Sequence, residues 1–360
     1  MKKLFILIIS LITINSFGQK NQTSITAKGQ DAELAYNEGV KAFLNQDFPT
    51  ALTELSKAID LKSDFGKAYY NRGVIKNELK DFESAISDLS VAVQLLPKMP
   101  KTLFARGFSR VNTSDFNGAV SDFTLAMKSG YKNPNAFYYR GVAQLKLKNF
   151  DDAIKDFNEA IKMDENYAYA YHDRGSAKRL KGNPKGAEND YLKATEIDPN
   201  LYFAYNNLGA VRSELKKYDE AISAYSEALN INAEYYAAYN GRGLAKYAQG
   251  INNQSKGKEE EAEKNFNEAI KDFEKTINFK NTFAIAHNNM GMVQLKLKNY
   301  KEADMAFTQA IKIDNKYAEA YANRGTAREN LRNFSGACRD WEKAASLGIK
   351  EAGKYTGNCN

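Results

Sequence analysis

A glycine returns every 34 residues along most of this 360-residue chain: Gly39, Gly73, Gly107, Gly141, Gly175, Gly209 and Gly243, then, after one break in step, Gly291 and Gly325. A period of that length marks a chain built from one repeated supersecondary unit, too small to bury its apolar face alone and completed by its neighbours. Counting domains by length therefore does not apply, and one continuous array is expected. The clearest unit runs from Ala168 to Pro199, with Tyr171, Gly175 four residues on, then Ala187, Tyr191, Ala194 and Pro199.

Those residues and spacings resemble the tetratricopeptide repeat. The resemblance covers nearly everything from Ala32 to Ala352 and makes nine repeats. It implies an all-α fold, a right-handed α-solenoid (superhelix) of nine helix-turn-helix repeats over residues 32–349, closed by a short C-terminal capping helix and tail over 350–360. In each repeat the first helix carries an aromatic and the glycine. The second carries Ala51, Ala85, Ala119, Ala153, Ala187, Ala221, Ala269, Ala303 or Ala337, followed four residues later by Leu55, Leu89, Phe123, Phe157, Tyr191, Tyr225, Phe273, Phe307 or Trp341. Small residues let the helices approach and the large ones fill what remains, so this stripe reads as core. Asp47, Asp81, Asp115, Asn149, Asn183, Asn299 and Asn333 each precede a second helix and are read as N-caps, accepting from an otherwise unpaired first-turn amide.

The seventh repeat is longer by fourteen residues, inserted within 248–264 at the turn between its helices. The Gly, Asn, Gln and Ser of its first half predict loop, and the helix formers from Lys258 to Lys264 predict a backward extension of the second helix. It is either a tolerated surface insertion or a protrusion that touches a partner.

At the N-terminus Lys2 and Lys3 precede an apolar run, Leu4 to Ile14, ending in Asn15-Ser16-Phe17-Gly18. This predicts a signal peptide over 1–18 and a flexible lead-in over 19–31, hence an exported protein, periplasmic or extracellular. The run is too short for a membrane span, which needs about 20 apolar residues, so no span is expected after cleavage. Formal net charge is +7, with acidic and basic residues interspersed and no block of like charge, which argues against nucleic acid as a partner. Cys338 and Cys359 in an exported chain point to a disulfide tying down the cap, the alternative being a reduced pair in a frayed tail.

No chemistry of catalysis is legible. His172 and His287 are the only histidines, without metal-ligand spacing, and His287 stands where other repeats place Tyr171, Tyr205, Tyr239 or Tyr321. No nucleophile elbow or phosphate-binding loop occurs, so neither a catalytic site, a metal nor a cofactor is expected. The resemblance implies that first helices line a concave surface that takes a protein or peptide partner. The matching residues here are Tyr70, Phe104, Phe108, Tyr138, Tyr169 and His172, then Asn206, Asn240, Tyr247 and Asn288. Apolar rings beside amides suit an extended peptide, unless the rings are half-buried between neighbouring first helices. A non-catalytic scaffold in the envelope or outside the cell is the primary reading. The alternative is a glycan- or peptidoglycan-binding accessory, or a regulatory subunit, of an exported enzyme system.

Comparing the repeats with one another yields one more expectation. Arg72, Arg106, Arg140, Arg174, Arg242 and Arg324 precede the glycine in six repeats, and those six carry Asp88, Asp122, Asp156, Asp190, Asp272 and Asp340 before the second-helix aromatic or its leucine. Where the first position is Leu208 or Met290, the second is Ala224 or Ala306. The charges come and go together, which predicts a two-point ion pair between the helices of one repeat. The first repeat, with Glu38 and Glu54, breaks the rule and is expected to be the loosest.

Overall fold

The computed structural model describes residues 27–358, among which every regular element is helical. The chain falls into two compact units, divided along the sequence between Ala177 and Lys178, near the end of one helix. In unit 1 the helices are α1 Ala27–Leu44, α2 Phe48–Leu61, α3 Gly66–Glu78, α4 Phe82–Leu95, α5 Pro100–Asn112, α6 Phe116–Lys128, α7 Pro134–Lys146, α8 Phe150–Met163 and most of α9 Ala168–Leu180. In unit 2 they are α10 Pro184–Ile197, α11 Tyr202–Glu214, α12 Tyr218–Ile231, α13 Tyr236–Ser255, α14 Glu259–Phe279, α15 Ala284–Lys296, α16 Tyr300–Ile313, α17 Ala318–Asn330 and α18 Phe334–Ser346, followed by a 3₁₀ helix, Lys350–Asn358. Within each unit, consecutive helices form hairpins and each hairpin lies against the next.

The glycine decides how close the two helices of a hairpin come. A Cβ built on Gly73 would lie 2.7 Å from Leu89 Cγ, on Gly107 2.9 Å from a Phe123 ring carbon, on Gly141 2.8 Å from Phe157, and on Gly209 2.8 Å from Tyr225. The large second-helix side chain thus sits flat on glycine backbone, and Leu55, Phe123, Phe157, Phe273 and Phe307 are fully buried there. Between hairpins the alanines of the second helices, among them Ala85, Ala119, Ala153 and Ala303, are likewise buried, which lets neighbouring helices approach closely at these positions.

Each hairpin turn is tight because one residue takes a left-handed conformation before the cap: Gln46, Lys80, Ser114, Lys148, Lys216, Lys298 and Arg332 all have φ between 61° and 66°. Asp47, Asp81, Asp115, Asn183 and Asn333 then accept from the amide three residues on, at 2.9 to 3.4 Å. Asn149 and Asn299 do not cap by this means. Their side-chain amides instead donate to Gln144 and Gln294, five residues back, at 2.8 and 2.9 Å.

The seventh repeat corrects the expected loop. Residues 248–255 are helical, α13 has 20 residues where other first helices of unit 2 have 13, and α14 has 21 where other second helices have 14 or fewer. The insertion is shared equally, seven residues to each arm. Seven residues are close to two helical turns, so each arm lengthens without rotating its buried face. The glycine-on-ring contact is then made twice, by Gly243 on Phe273 and again, two turns further out, by Gly250 on Phe266. Packing against Phe266 and Ala262 outweighs the poor helix propensity of Gly250, Asn252 and Asn253.

At the other boundaries, α1 spans Ala27–Leu44, so the residues from Ala27 to Asp31 within the stretch expected to be flexible are helical. The 3₁₀ helix lies on α18, with Ala352 buried beside Trp341 and the Tyr355 ring 5.2 Å from the indole. The signal segment 1–18 and Cys359 lie outside the described residues, as do residues 19–26. Gly141→Ala should cost about 1–3 kcal/mol of stability, because neither the Phe157 ring nor the helix backbone can give way. Urea denaturation followed by circular dichroism checks this, and an unchanged midpoint would show that the hairpin can part.

Candidate binding surface

Of the ten side chains expected on the partner-binding face, five are buried: Tyr70, Phe104, Phe108, Tyr138 and Asn288. These five are closed off by rings and amides of the loops and helices packed against them. Phe104 packs at 5.0 Å on Tyr131 and 5.7 Å on Phe123, Phe108 at 5.1 Å on Tyr139, and Tyr138 at 4.9 Å on Tyr167. Tyr169, His172, Asn206, Asn240 and Tyr247 remain partly exposed.

The polar groups among them are largely spoken for by a ladder that joins one first helix to the next. The residue three before one glycine bonds the residue two before the following glycine. Asn71 donates to Tyr36 Oη at 3.0 Å, Tyr138 Oη to Asp173 at 2.8 Å, Asn289 to Asn240 at 3.1 Å, and Asn323 to Asn288 at 3.0 Å. Buried polar atoms need such partners, and Asn240 and Asn288, read as contacts for a ligand, are here contacts between repeats, while Asn206 donates to its neighbour Asn207. Asp173 also takes His172 Nδ1 at 2.8 Å. Burial pushes the Tyr36 phenol up to about 12 and holds Tyr138 well above its ordinary value, the latter helped by the Asp173 charge.

A second network lies between the two helices of each hairpin. Arg72 grips Asp88 through Nε and Nη2 at 2.8 and 2.7 Å, and Arg106 grips Asp122 at 2.9 and 2.7 Å. Arg140 with Asp156, Arg242 with Asp272 and Arg324 with Asp340 do the same at 2.6 to 3.0 Å. Asp190 and Arg174 fall in different units; within its own, Asp190 binds Lys178 at 2.7 Å and Arg174 donates to Asn158 at 2.7 Å. The carboxylates are 4 to 7% exposed and the guanidiniums 12 to 23%, so water screens these pairs little. In the first repeat Glu38 and Glu54 reach Lys41 and Lys57 of their own helices, at 3.7 and 3.8 Å, with both lysines exposed.

Two members of this network escaped the sequence reading. The remaining guanidinium nitrogen, Nη1, reaches back to the second helix of the preceding repeat, to Ser56, Ser90, Thr124, Ser226 and Thr308 for the five arginines above, at 3.0 to 3.3 Å. The signal was present, since the residue after the second-helix aromatic or leucine is Ser, Thr or Asn before every arginine repeat and Leu192 or Glu274 before the other two. Three residues past the glycine, a second cation meets the same aspartate: Lys76 on Asp88 at 2.7 Å, Arg110 on Asp122 at 2.9 Å, Lys246 on Asp272 at 2.9 Å and Arg328 on Asp340 at 2.9 Å. Asp156 has Gln144 at that place. Its carboxyl is raised above the ordinary value by burial, against the opposing hydrogen bond and charge of Arg140.

Among the described residues no group of three or more His, Cys, Asp or Glu side chains could hold a metal ion, and no helix is long and apolar enough to cross a membrane. With this geometry in hand, the comparisons with known proteins agree on one class. Models of the tetratricopeptide repeat match residues 66–98, 134–167, 168–201, 201–275 and 284–317, together more than half of the chain. The chain belongs to the tetratricopeptide repeat family.

Its fold is similar to that of a tetratricopeptide repeat protein from Parabacteroides merdae, with TM-score 0.56 and 19% identity over 72% of this chain and 99% of that one. It is also similar to the C-terminal part of a TPR repeat-containing protein from Cytophaga hutchinsonii, with TM-score 0.56 and 17% identity over 71% and 98%. Pseudomonas aeruginosa pilF matches with TM-score 0.50 and 19% identity over 62% and 96%. At these identities the likeness is one of fold. No curated protein matches the chain.

Asp156 supplies the test of the network. Its folded pKa is raised, so the folded chain holds the proton more tightly, and its contribution to stability falls as pH rises from the unfolded value through the folded one. Gln144→Arg adds the missing second cation and should stabilise the protein by about 1 kcal/mol at pH 7. The gain should vanish as pH falls through the carboxylate range and Asp156 protonates. Guanidinium denaturation at pH 7 and at acid pH measures both. A gain that persists undiminished in acid would assign the effect to packing.

Proposed function

We propose that this protein is a non-catalytic scaffold that holds a protein or peptide partner on the side lined by its first helices, the concave side in this family, and that it works in the cell envelope or outside the cell. The observation that carries the reading is what packing leaves over. Tyr169 and His172 in unit 1, and Asn206 and Tyr247 in unit 2, stay partly open on first helices outside the ladder, and Asn240 stays partly open within it. Partly exposed rings and amides on a rigid helical frame can bind an extended chain at little ordering cost. Family membership supports the same reading, because repeats of this kind present surfaces and supply no shared chemistry of their own. The envelope setting rests on the leader and on Cys338 with Cys359.

Binding should therefore be lost through open residues and folding through buried ones. Tyr169→Ala with Tyr247→Ala should weaken capture of peptides from an immobilised random library by more than about 2 kcal/mol if both are anchors, with helicity unchanged. Phe104→Ala should instead lower stability by about 3–5 kcal/mol. Peptide binding that survives the double substitution at full strength would remove the first-helix face from consideration.

The setting is tested on protein recovered from the organism. Sequencing should find a mature N-terminus at Gln19, and mass analysis without reductant should find Cys338 joined to Cys359. A start at Met1 with two free thiols would place the protein in a reducing compartment.

A further inference from the structure

The repeats of unit 2 that have no arginine leave clefts where the network is otherwise continuous. In the arginine repeats the guanidinium fills the seam between two successive second helices. It also lies over an aromatic ring three residues earlier in its own helix: Arg72 over Tyr69 at 5.6 Å, Arg140 over Phe137 at 5.9 Å, Arg242 over Tyr239 at 5.5 Å and Arg324 over Tyr321 at 5.5 Å. Between α14 and α16 all four members of this arrangement are exchanged. Met290 replaces the arginine, Ala306 the aspartate, Glu274 the hydroxyl of the preceding repeat and His287 the ring.

What results is a cleft of about 450 Å³ lined by those four residues together with Glu302 and Met305. Its floor is apolar and Met305 is 68% exposed, the most exposed of the large apolar side chains in the described part of the chain. Its rim is acidic. Glu274 and Glu302 form no ion pair among the described residues, Asp304 is taken by Arg328 at 2.7 Å, and neither lysine nor arginine lines the cleft. His287 Nδ1 is buried there without a hydrogen-bond partner.

We propose that this cleft receives an arginine side chain from a partner polypeptide, its methylene stem lying on Met290, Met305 and Ala306 and its guanidinium reaching Glu274 and Glu302. The chain itself shows that such a seam accepts an arginine, since it places its own there in other repeats. An arginine suits an apolar floor with carboxylates at the rim, because its stem packs on apolar surface while its weakly hydrated planar head matches carboxylate oxygens. The sister cleft between α10 and α12 has a different chemistry. It offers Leu192 where Glu274 stands, and its lining sets Arg212 beside Glu196 and Glu227, so it lacks the purely acidic rim of this one. The site lies where α15 meets the seam of α14 and α16, and shares none of the residues of the first-helix surface proposed above.

The test is a nuclear magnetic resonance titration of the full chain with an alanine-based hexapeptide carrying one central arginine, and with its citrulline and leucine counterparts. The arginine peptide should shift the amides of Glu274, Met305 and Thr308 and bind at least about tenfold more tightly than the citrulline peptide, more weakly as salt is added. Glu274→Gln with Glu302→Gln should erase that difference. Met290→Arg with Ala306→Asp should fill the cleft with an internal pair, raise the thermal midpoint and abolish binding. Equal binding of the citrulline or leucine peptide, shifts confined to first helices, or undiminished binding to the filled variant would each overturn the assignment. So would ultracentrifugation showing a dimer that the filling pair dissolves, which would make a second copy the occupant.

Discussion

The contact on which the rest of this structure depends is a glycine backbone laid against a large side chain of the neighbouring helix. With Leu89 or Phe157 resting on glycine, with no Cβ between, the two helices of a hairpin approach as closely as backbones allow. Only at that separation can an arginine one residue before the glycine span to the aspartate one residue before the ring and hold it at 2.6 to 3.0 Å through both oxygens. The apolar contact sets the distance, and the charged one uses it.

The ion pair would add little if it only joined two helices already packed together, because removing both charges from water offsets much of their attraction. Its geometry gives it a wider role. The third guanidinium nitrogen bonds the preceding repeat, so one arginine ties both helices of its hairpin to the hairpin before. In an array whose stability is a sum of local terms between neighbours, such a residue sets the coupling of adjacent repeats. Where Leu208 and Met290 replace it, that tie is missing and a cleft opens in the seam.

The seventh repeat shows how a repeat tolerates growth. Fourteen residues enter as two sets of seven, each close to two full turns, so the buried faces of α13 and α14 stay aligned and the ion pair of Arg242 with Asp272 survives although the two lie 30 residues apart in sequence instead of 16. The glycine-on-ring contact is repeated at Gly250 and Phe266. An insertion of five or nine residues would have turned one face out of register.

The amino-acid sequence by itself determined the fold class and named the arginine and aspartate that meet in five of the hairpins. The 34-residue period fixes which residues are equivalent, and covariation among equivalents names those that touch. Only the tertiary structure decided the surface. Tyr70, Phe104, Phe108 and Tyr138 sit on the expected face of the first helices and are buried there, while Tyr169 and Tyr247, from the same group, are not. Helical periodicity gives the direction in which a side chain leaves its own helix, whereas burial depends on how far the next helix reaches across it. That reach is set by side chains on three helices at once, and no spacing along one segment encodes it. The helical fate of residues 248–255 has the same origin: local propensity favours a loop, and the Phe266 ring on Gly250, sixteen residues away, decides otherwise.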